Sequence, residues 1–236
     1  MKLTVYKYDP AVDAAPYYVS GEVPYQEHMT ALHALMYFDE NVNHVNYDHS
    51  CRARACGRCA MMLDGQPTLI CTEFIDDGDH TIEPLKGFRV IRDLIVDKHG
   101  LDDQLTRVYN RVRVEPFNAE TIAVDMGAYD KETMMDLYGM EYCCRCGVCT
   151  AACPIMDEHH DDYAGPAVML AIAYRHLDPL DTGDRVMEAV NKGLYRCIQC
   201  GNCDKVCASS DIKHLQAWTT LRAAAEERGL VPSYAK

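Results

Sequence analysis

The sequence predicts an α+β chain in two parts: a strand-rich first part with a ubiquitin-like, β-grasp layout over residues 1–100, and an all-helical second part over residues 101–236. Three observations carry this. Short apolar runs separated by turn signals fill the first hundred residues, helical periods fill the rest, and two matching cysteine runs fall within the helical part.

The elements follow in order. KLTVYKYDP and APYYVSGEV are two short strands separated by a turn. TALHALMYFDE is a helix that Thr30 can cap, with Leu32, Leu35 and Met36 on one face. A cysteine loop comes next, followed by CAMMLDGQPTLIC, where Asp64-Gly65 between two apolar runs is a strong hairpin signal, and HTIEPL supplies another strand. From VIRDLIVDKHG onward the pattern turns helical, through DDQLTRVYNRV, GPAVMLAIAYRHL, DRVMEAVNKGL and HLQAWTTLRAAAEERG, which sets a boundary near Gly100. Low-complexity linkers and solenoid periods are missing, and the two cysteine runs form a short internal repeat.

The totals narrow the function. At 236 residues and 48% hydrophobic, the chain can build one or two packed cores. Its net charge of -13 argues against a nucleic-acid surface and against docking on anionic lipid. The opening MKLTVYKYDP has neither the apolar core of a secretory signal nor a twin-arginine run, and AVMLAIAY is far short of the roughly 20 residues of a membrane span. A cytoplasmic protein is expected, so its 13 cysteines point to metal or cluster ligation in preference to disulfides.

Spacing decides which metal chemistry. Cys51, Cys56, Cys59 and Cys71 stand as C-x4-C-x2-C-x11-C, the plant-type spacing for a [2Fe-2S] cluster. Three thiolates from one tight loop must converge on two irons, so the backbone wraps closely and aims its N–H groups at sulfur. The small residues Ala53, Ala55, Gly57 and Ala60 permit that approach. Arg52, Arg54 and Arg58 either place positive charge beside the cluster, raising its potential or marking a docking face, or are solvated loop charges. Met61 and Met62 read as core.

Cys143, Cys146, Cys149 and Cys153-Pro154 match the bacterial ferredoxin run C-x2-C-x2-C-x3-C-P, in which the fourth cysteine serves the other cluster. The second run, CIQCGNCDKVC, repeats the spacing. By the reciprocal rule Cys143, Cys146, Cys149 and Cys207 hold a first [4Fe-4S] cube, while Cys153, Cys197, Cys200 and Cys203 hold a second, as in an alpha-helical, bacterial-ferredoxin-like domain with two cubane-type clusters. Cys144 is left over and reads as an unligated small residue. With no mononuclear metal site, Ser-His-Asp order, phosphate loop or dinucleotide fingerprint, no catalytic residue is expected.

The order of these loops, together with HSCRARACGRCAMMLDGQPTLIC, TIEPLKGFRVIRDLIVD, CGVCTAACP and GPAVMLAIAYRHLD, resembles the iron–sulfur subunit of the succinate dehydrogenase and fumarate reductase family over nearly the whole chain. The resemblance implies an electron-transfer subunit that links an FAD flavoprotein, where succinate and fumarate interconvert, to a quinone in a membrane anchor, with this chain peripheral on the inner face of the membrane. One departure stands out. The usual member carries C-x5-C-x3-C-P in the last run and holds a [3Fe-4S] centre there, whereas Cys200 restores the missing ligand and implies a second [4Fe-4S] cube. Four thiolates lower the potential, which suits menaquinone or another low-potential partner better than ubiquinone.

Two further departures touch the quinone end. The segment IMDEHHDD after Cys153 replaces the residues that help form the usual quinone pocket, and its His159 and His160 either shuttle protons or belong to a polar surface loop. Ala208 stands where the family has proline after Cys207, and Trp218 reads as a core anchor more than an electron relay. An alternative pairs the same three-cluster wire with a flavoprotein acting on another substrate or with a thiol donor. A free ferredoxin-like carrier is a third reading, against which a large apolar surface patch would speak.

Overall fold

Alternation of buried and open positions along KLTVYK makes β1 (Lys2–Lys7) the spine of a five-stranded sheet, with Leu3 and Val5 fully buried. The computed structural model describes residues 1–113, 128–158, 162–209 and 211–235. Chain contacts divide it into two units. The first comprises Met1–Gly100 with Cys144–Ala152 and Val206–Ala208, and the second takes the rest.

In the first unit β2 (Tyr17–Glu22) pairs antiparallel with β1, Val19 opposite Val5. On the other side β5 (Asp79–Glu83) runs parallel to β1, with Val5 opposite Ile82. β3 (Ala60–Leu63) pairs antiparallel with β5 and with β4 (Gln66–Leu69), giving the order β2-β1-β5-β3-β4. Asp64-Gly65 joins β3 to β4 with φ of 50° and 75°, the double left-handed turn that matches strand twist. Helix α1 (Ala31–Asn41) starts where the Thr30 side chain accepts from the His33 N–H, and it buries Leu32, Leu35 and Phe38, with Met36 half-buried. Met61 and Met62 join this core, as the sequence suggests.

The segment VIRDLIVD corrects the sequence expectation. It forms a two-stranded ribbon, β6 (Arg89–Arg92) and β7 (Ile95–Asp97), where helical periods were expected to begin. The β-branched residues Val90, Ile91, Ile95 and Val96 favour the pleated form, and Asp93 at φ 46° makes the turn between them. Helix α2 (His99–Tyr109) follows.

The second unit is built on α6 (Pro166–Leu177), whose Ala167 to Ala173 are all at most 1% exposed, so apolar residues surround it. Pro166 sits at its first turn, where no backbone N–H is needed. Around it pack α3 (Lys131–Glu141), α7 (Arg185–Asn191) and α9 (His214–Glu227). The sequence reading missed α3, which Asp130 caps through the Thr133 N–H. Three further short helices carry cysteines or flank them: α4 (Val148–Ala151), which belongs to the first unit, α5 (Pro154–Glu158) and α8 (Asn202–Val206). Among the described residues no helix is long and apolar enough to cross a membrane.

Buried ions hold this unit's loops. Asp178 accepts from Arg111 at 2.9 Å, Arg175 at 2.6 Å and the Tyr129 hydroxyl at 2.7 Å. Arg185 binds both Asp181 oxygens, Glu188 and the Asn110 carbonyl. Each buried charge is thereby paired, which is the condition for tolerating it in a core.

Candidate metal centres

The loop from Cys51 to Cys59 curls through left-handed residues, with φ of 54° at Arg52, 63° at Arg54 and 68° at Gly57. That curl turns backbone donors inward. The N–H groups of Ala53, Ala55 and Cys56 lie 3.3, 3.4 and 3.3 Å from the Cys51 sulfur, and the Cys51 N–H lies 3.5 Å from the Cys56 sulfur. Donors around sulfur stabilise thiolate: led by the Ala53 N–H, with Cys56 and Ala55 adding, they lower the Cys51 thiol to about 7. Cys59 and Cys71 are buried below the loop, where burial pushes Cys59 up to about 12. An anionic group held by thiolates and ringed by amide N–H is what this cradle fits.

The arginines of the loop are exposed. Arg58 pairs with Asp48 at 3.0 Å, and Arg52 approaches His49. An exposed pair of this kind contributes roughly 0–1 kcal/mol, so the solvated-charge reading accounts for Arg58.

Gly57 matters for a second reason. A Cβ there would lie 2.6 Å from the Cys144 carbonyl oxygen and 2.9 Å from the Cys146 Cα and Cβ. The first cysteine loop therefore touches the backbone of the next cysteine run, within the same unit. Gly57→Ala is expected to cost at least about 1–2 kcal/mol from the left-handed backbone alone, and to lower iron and sulfide content per chain as the loops part. Unchanged metal content and unchanged denaturation midpoint would show that the approach has slack.

The two later runs share one backbone form. Arg145 and Gln199, each two residues after the first cysteine of its run, have φ of 54° and 56°. Gly147 and Gly201, each after the next cysteine, have φ of 84° and 75°, and short helices α4 and α8 follow. The internal repeat of the sequence is thus a structural repeat. The division into units cuts across it: Cys146, Cys149 and Cys207 belong to the first unit, while Cys153, Cys197, Cys200 and Cys203 belong to the second, as does Cys143. Cys144 packs on the core of the first unit.

In the second unit Cys153, Cys197, Cys200 and Cys203 line one small cavity with Ile155, Leu215 and Trp218. The Gln199 N–H lies 3.3 Å from the Cys197 sulfur, and burial pushes the Cys203 thiol up to about 12. Trp218 is 1% exposed, and its indole N–H has no acceptor among the described residues. A buried donor without a partner costs about 1–3 kcal/mol, and a sulfur-containing group bound in the cavity would offer it an acceptor. The core reading of Trp218 stands, with its ring on the cavity wall.

Other polar groups near these runs escaped the sequence reading. Asp204, next to Cys203, accepts from the backbone N–H groups of His214 and Leu215 and so caps α9, while its carboxylate also meets the buried His214 ring at 3.1 Å. Nothing in the local sequence marks that pair, because ten residues separate its members. His159 and His160 lie outside the described residues.

Comparison with known proteins bears on the two cluster-binding regions as wholes. Residues 2–103 match the model of a 2Fe-2S iron-sulfur cluster binding domain, and residues 139–210 that of a 4Fe-4S dicluster domain. The chain is 32% identical to a subunit of the fumarate reductase (CoM/CoB) of Methanothermobacter marburgensis, covering 98% of this chain and 46% of that protein, so it spans about half the length of that relative. The fold matches a chain of the Mycobacterium smegmatis Sdh1 complex in the apo form with a TM-score of 0.80 at 23% identity, over 98% of each. The fumarate reductase iron-sulfur subunit of Escherichia coli is 31% identical over 99% of this chain and 93% of its own. A likeness of that extent, carried by both cluster-binding regions, places the chain in the family of fumarate reductase iron–sulfur subunits.

Proposed function

We propose that this chain is the electron-transfer subunit of a succinate dehydrogenase or fumarate reductase type of complex, passing electrons between an FAD flavoprotein and a quinone or other redox partner, with substrate chemistry in the flavoprotein. The first part is a β-grasp domain over residues 1–100, and residues 101–236 form a helical ferredoxin-like domain. Cys51, Cys56, Cys59 and Cys71 hold [2Fe-2S]; Cys143, Cys146, Cys149 and Cys207 hold the first [4Fe-4S]; Cys153, Cys197, Cys200 and Cys203 hold the second. Bound clusters supply one-electron storage at three points, while the protein sets potential through amide donors, burial and nearby charge.

Two observations carry the reading: four cysteines on one cavity wall in the second unit, and, within the first unit, a plant-type loop that touches the next cysteine run at Gly57. Each part of the chain does a distinct task there. The left-handed loop residues aim N–H groups at sulfur, and Ile155, Leu215 and Trp218 line the cavity of the second unit with apolar surface. Fixed donors lower the reorganisation that accompanies a change of charge.

A fixed complex is favoured over a free carrier. Helix α3 and the residue after it leave Met134, Met135, Tyr138 and Tyr142 exposed, an apolar stripe of the kind that marks a protein contact. A membrane-anchor or other acceptor subunit and a place on the inner face of the membrane follow from the same reading, through partners. The names of the relatives favour fumarate over an unrelated substrate.

The test is anaerobic purification of the native assembly through a tag on this chain. A flavoprotein should co-purify, and fumarate added to the reduced assembly should reoxidise the clusters promptly. A flavoprotein that co-purifies while fumarate leaves the clusters reduced would move the chemistry to another substrate.

A further inference from the structure

Lys98 follows directly on β7, is half-buried, and reaches back across the first unit. Its ammonium donates to the Gly57 carbonyl at 3.3 Å and to the Cys146 carbonyl at 3.2 Å. Gly57 belongs to the Cys51–Cys59 loop and Cys146 to the first ferredoxin-type run. These residues also mark where the two backbones meet, since a Cβ on Gly57 would fall 2.9 Å from Cys146. One cation therefore bonds both loops at their point of closest approach.

The charge is held there for a reason beyond tethering. A neutral donor on either loop could bridge two carbonyls, whereas a lysine brings a full positive charge into a partly desolvated site at the cost of removing water from its ammonium. The nearest carboxylate in sequence, Asp97, is engaged by Arg89 at 2.8 Å, and both acceptors of Lys98 are neutral carbonyls. No carboxylate is among the hydrogen-bond partners of Lys98 in the described residues, and its charge also acts on the neighbouring Cys144 thiol. Clusters held by thiolates gain negative charge on reduction, and a nearby cation stabilises the more negative state.

We propose that Lys98 is a positioning residue for transfer between the first two centres: its ammonium ties the [2Fe-2S] loop to the loop of the first [4Fe-4S] centre, and its charge raises the reduction potential of both. The assignment rests on the cluster reading given above, and it treats Lys98 as a group acting through the two loops without ligating metal.

The test compares the full-length, anaerobically loaded wild type with Lys98→Met, Lys98→Gln and Lys98→Arg in redox titrations followed by electron paramagnetic resonance, with iron and sulfide measured per chain. Lys98→Gln keeps a donor without the charge, and Lys98→Arg keeps both. The expected result is a shift to lower potential for the [2Fe-2S] and first [4Fe-4S] signals in Lys98→Met and Lys98→Gln, with Lys98→Arg near wild type. At fixed poise the reduced-to-oxidised ratio should fall roughly tenfold, which for a one-electron couple corresponds to about 59 mV. If Lys98→Met fails to load clusters, Lys98→Gln decides. Potentials unchanged in a loaded Lys98→Gln overturn this assignment alone, whereas a wild type that takes up neither cluster overturns the cluster reading and this assignment with it.

Discussion

Asp93→Ala is expected to remove about 3–5 kcal/mol of stability, because it strips one partner from a buried ion pair and leaves the other charged. Asp93 is 3% exposed and Lys7 is 9% exposed. The Lys7 ammonium donates to an Asp93 oxygen at 2.8 Å and to the His44 carbonyl at 2.6 Å. The same carboxylate accepts from the Tyr8 N–H and from both the backbone and side-chain nitrogens of Asn46. It thus joins the end of β1, the β6–β7 turn and the stem that leads into the cluster loop at Cys51 within one unit. Asp93→Asn should cost less than alanine, since asparagine tolerates the φ of 46° and keeps acceptor oxygen, while the lysine still loses its counter-charge. The check is denaturant unfolding of equally loaded samples, read as a midpoint shift at constant slope. A loss below about 1 kcal/mol for alanine would mean that water reaches Lys7 and replaces the carboxylate.

The pH dependence follows from the same group. Burial alone would raise the Asp93 carboxyl, but the Lys7 ammonium and the Asn46 and Tyr8 donors outweigh it and hold the carboxyl below its usual 3.8. A folded-state value below the unfolded one adds stability that is fully present above the unfolded value and disappears as pH falls through the folded one. Asp178 and Asp204 are shifted the same way, in each case against burial, by Tyr129, Leu180 and Arg111 for the first and by His214 and Leu215 for the second. Acid should therefore loosen the protein below about pH 4, and Asp93→Asn should flatten part of that loss.

What was legible in the sequence was whatever short-range chemistry dictates. Asp64-Gly65 makes a hairpin because two left-handed residues match strand twist, and Thr30 caps α1 because its hydroxyl reaches an N–H three residues on. The cysteine spacings fix loops whose two later copies have the same left-handed positions. What escaped depends on partners far along the chain. VIRDLIVD carries apolar residues that suit a helix or a ribbon, and the ribbon wins where Asp93 meets Lys7, 86 residues away. Helix α3 has apolar residues on an exposed face, so periodicity does not point to a core. Lys98 is a polar residue after a strand until the fold brings it to Gly57 and Cys146, over separations of 41 and 48 residues.

Cys200→Ala is expected to convert the distal centre from a four-iron to a three-iron species, with iron content falling by about one atom per chain and the midpoint potential rising by on the order of a hundred millivolts or more. Among the four cysteines on that cavity wall, Cys200 is the exposed one, while Cys153, Cys197 and Cys203 are partly covered. If Cys200 ligates iron, that iron is the one oxidants and water would reach first, so brief exposure of the wild type to air should yield the same three-iron signal, reversible by iron and a reductant under argon. Removing the thiolate makes that state permanent. Cys200→Ser separates ligation from volume, because a hydroxyl fills the space of the thiol and is a poorer ligand for a soft cluster iron. If Cys200→Ala leaves iron content and potential as in the wild type, Cys200 is not a ligand. A high-potential three-iron signal in freshly prepared wild type would show that the added cysteine leaves the usual centre of the family in place. With a four-iron centre confirmed, its lowered potential would bear on the partner: a low-potential quinone or another reductant would exchange electrons with it near equilibrium, whereas a high-potential quinone would drive transfer in one direction only.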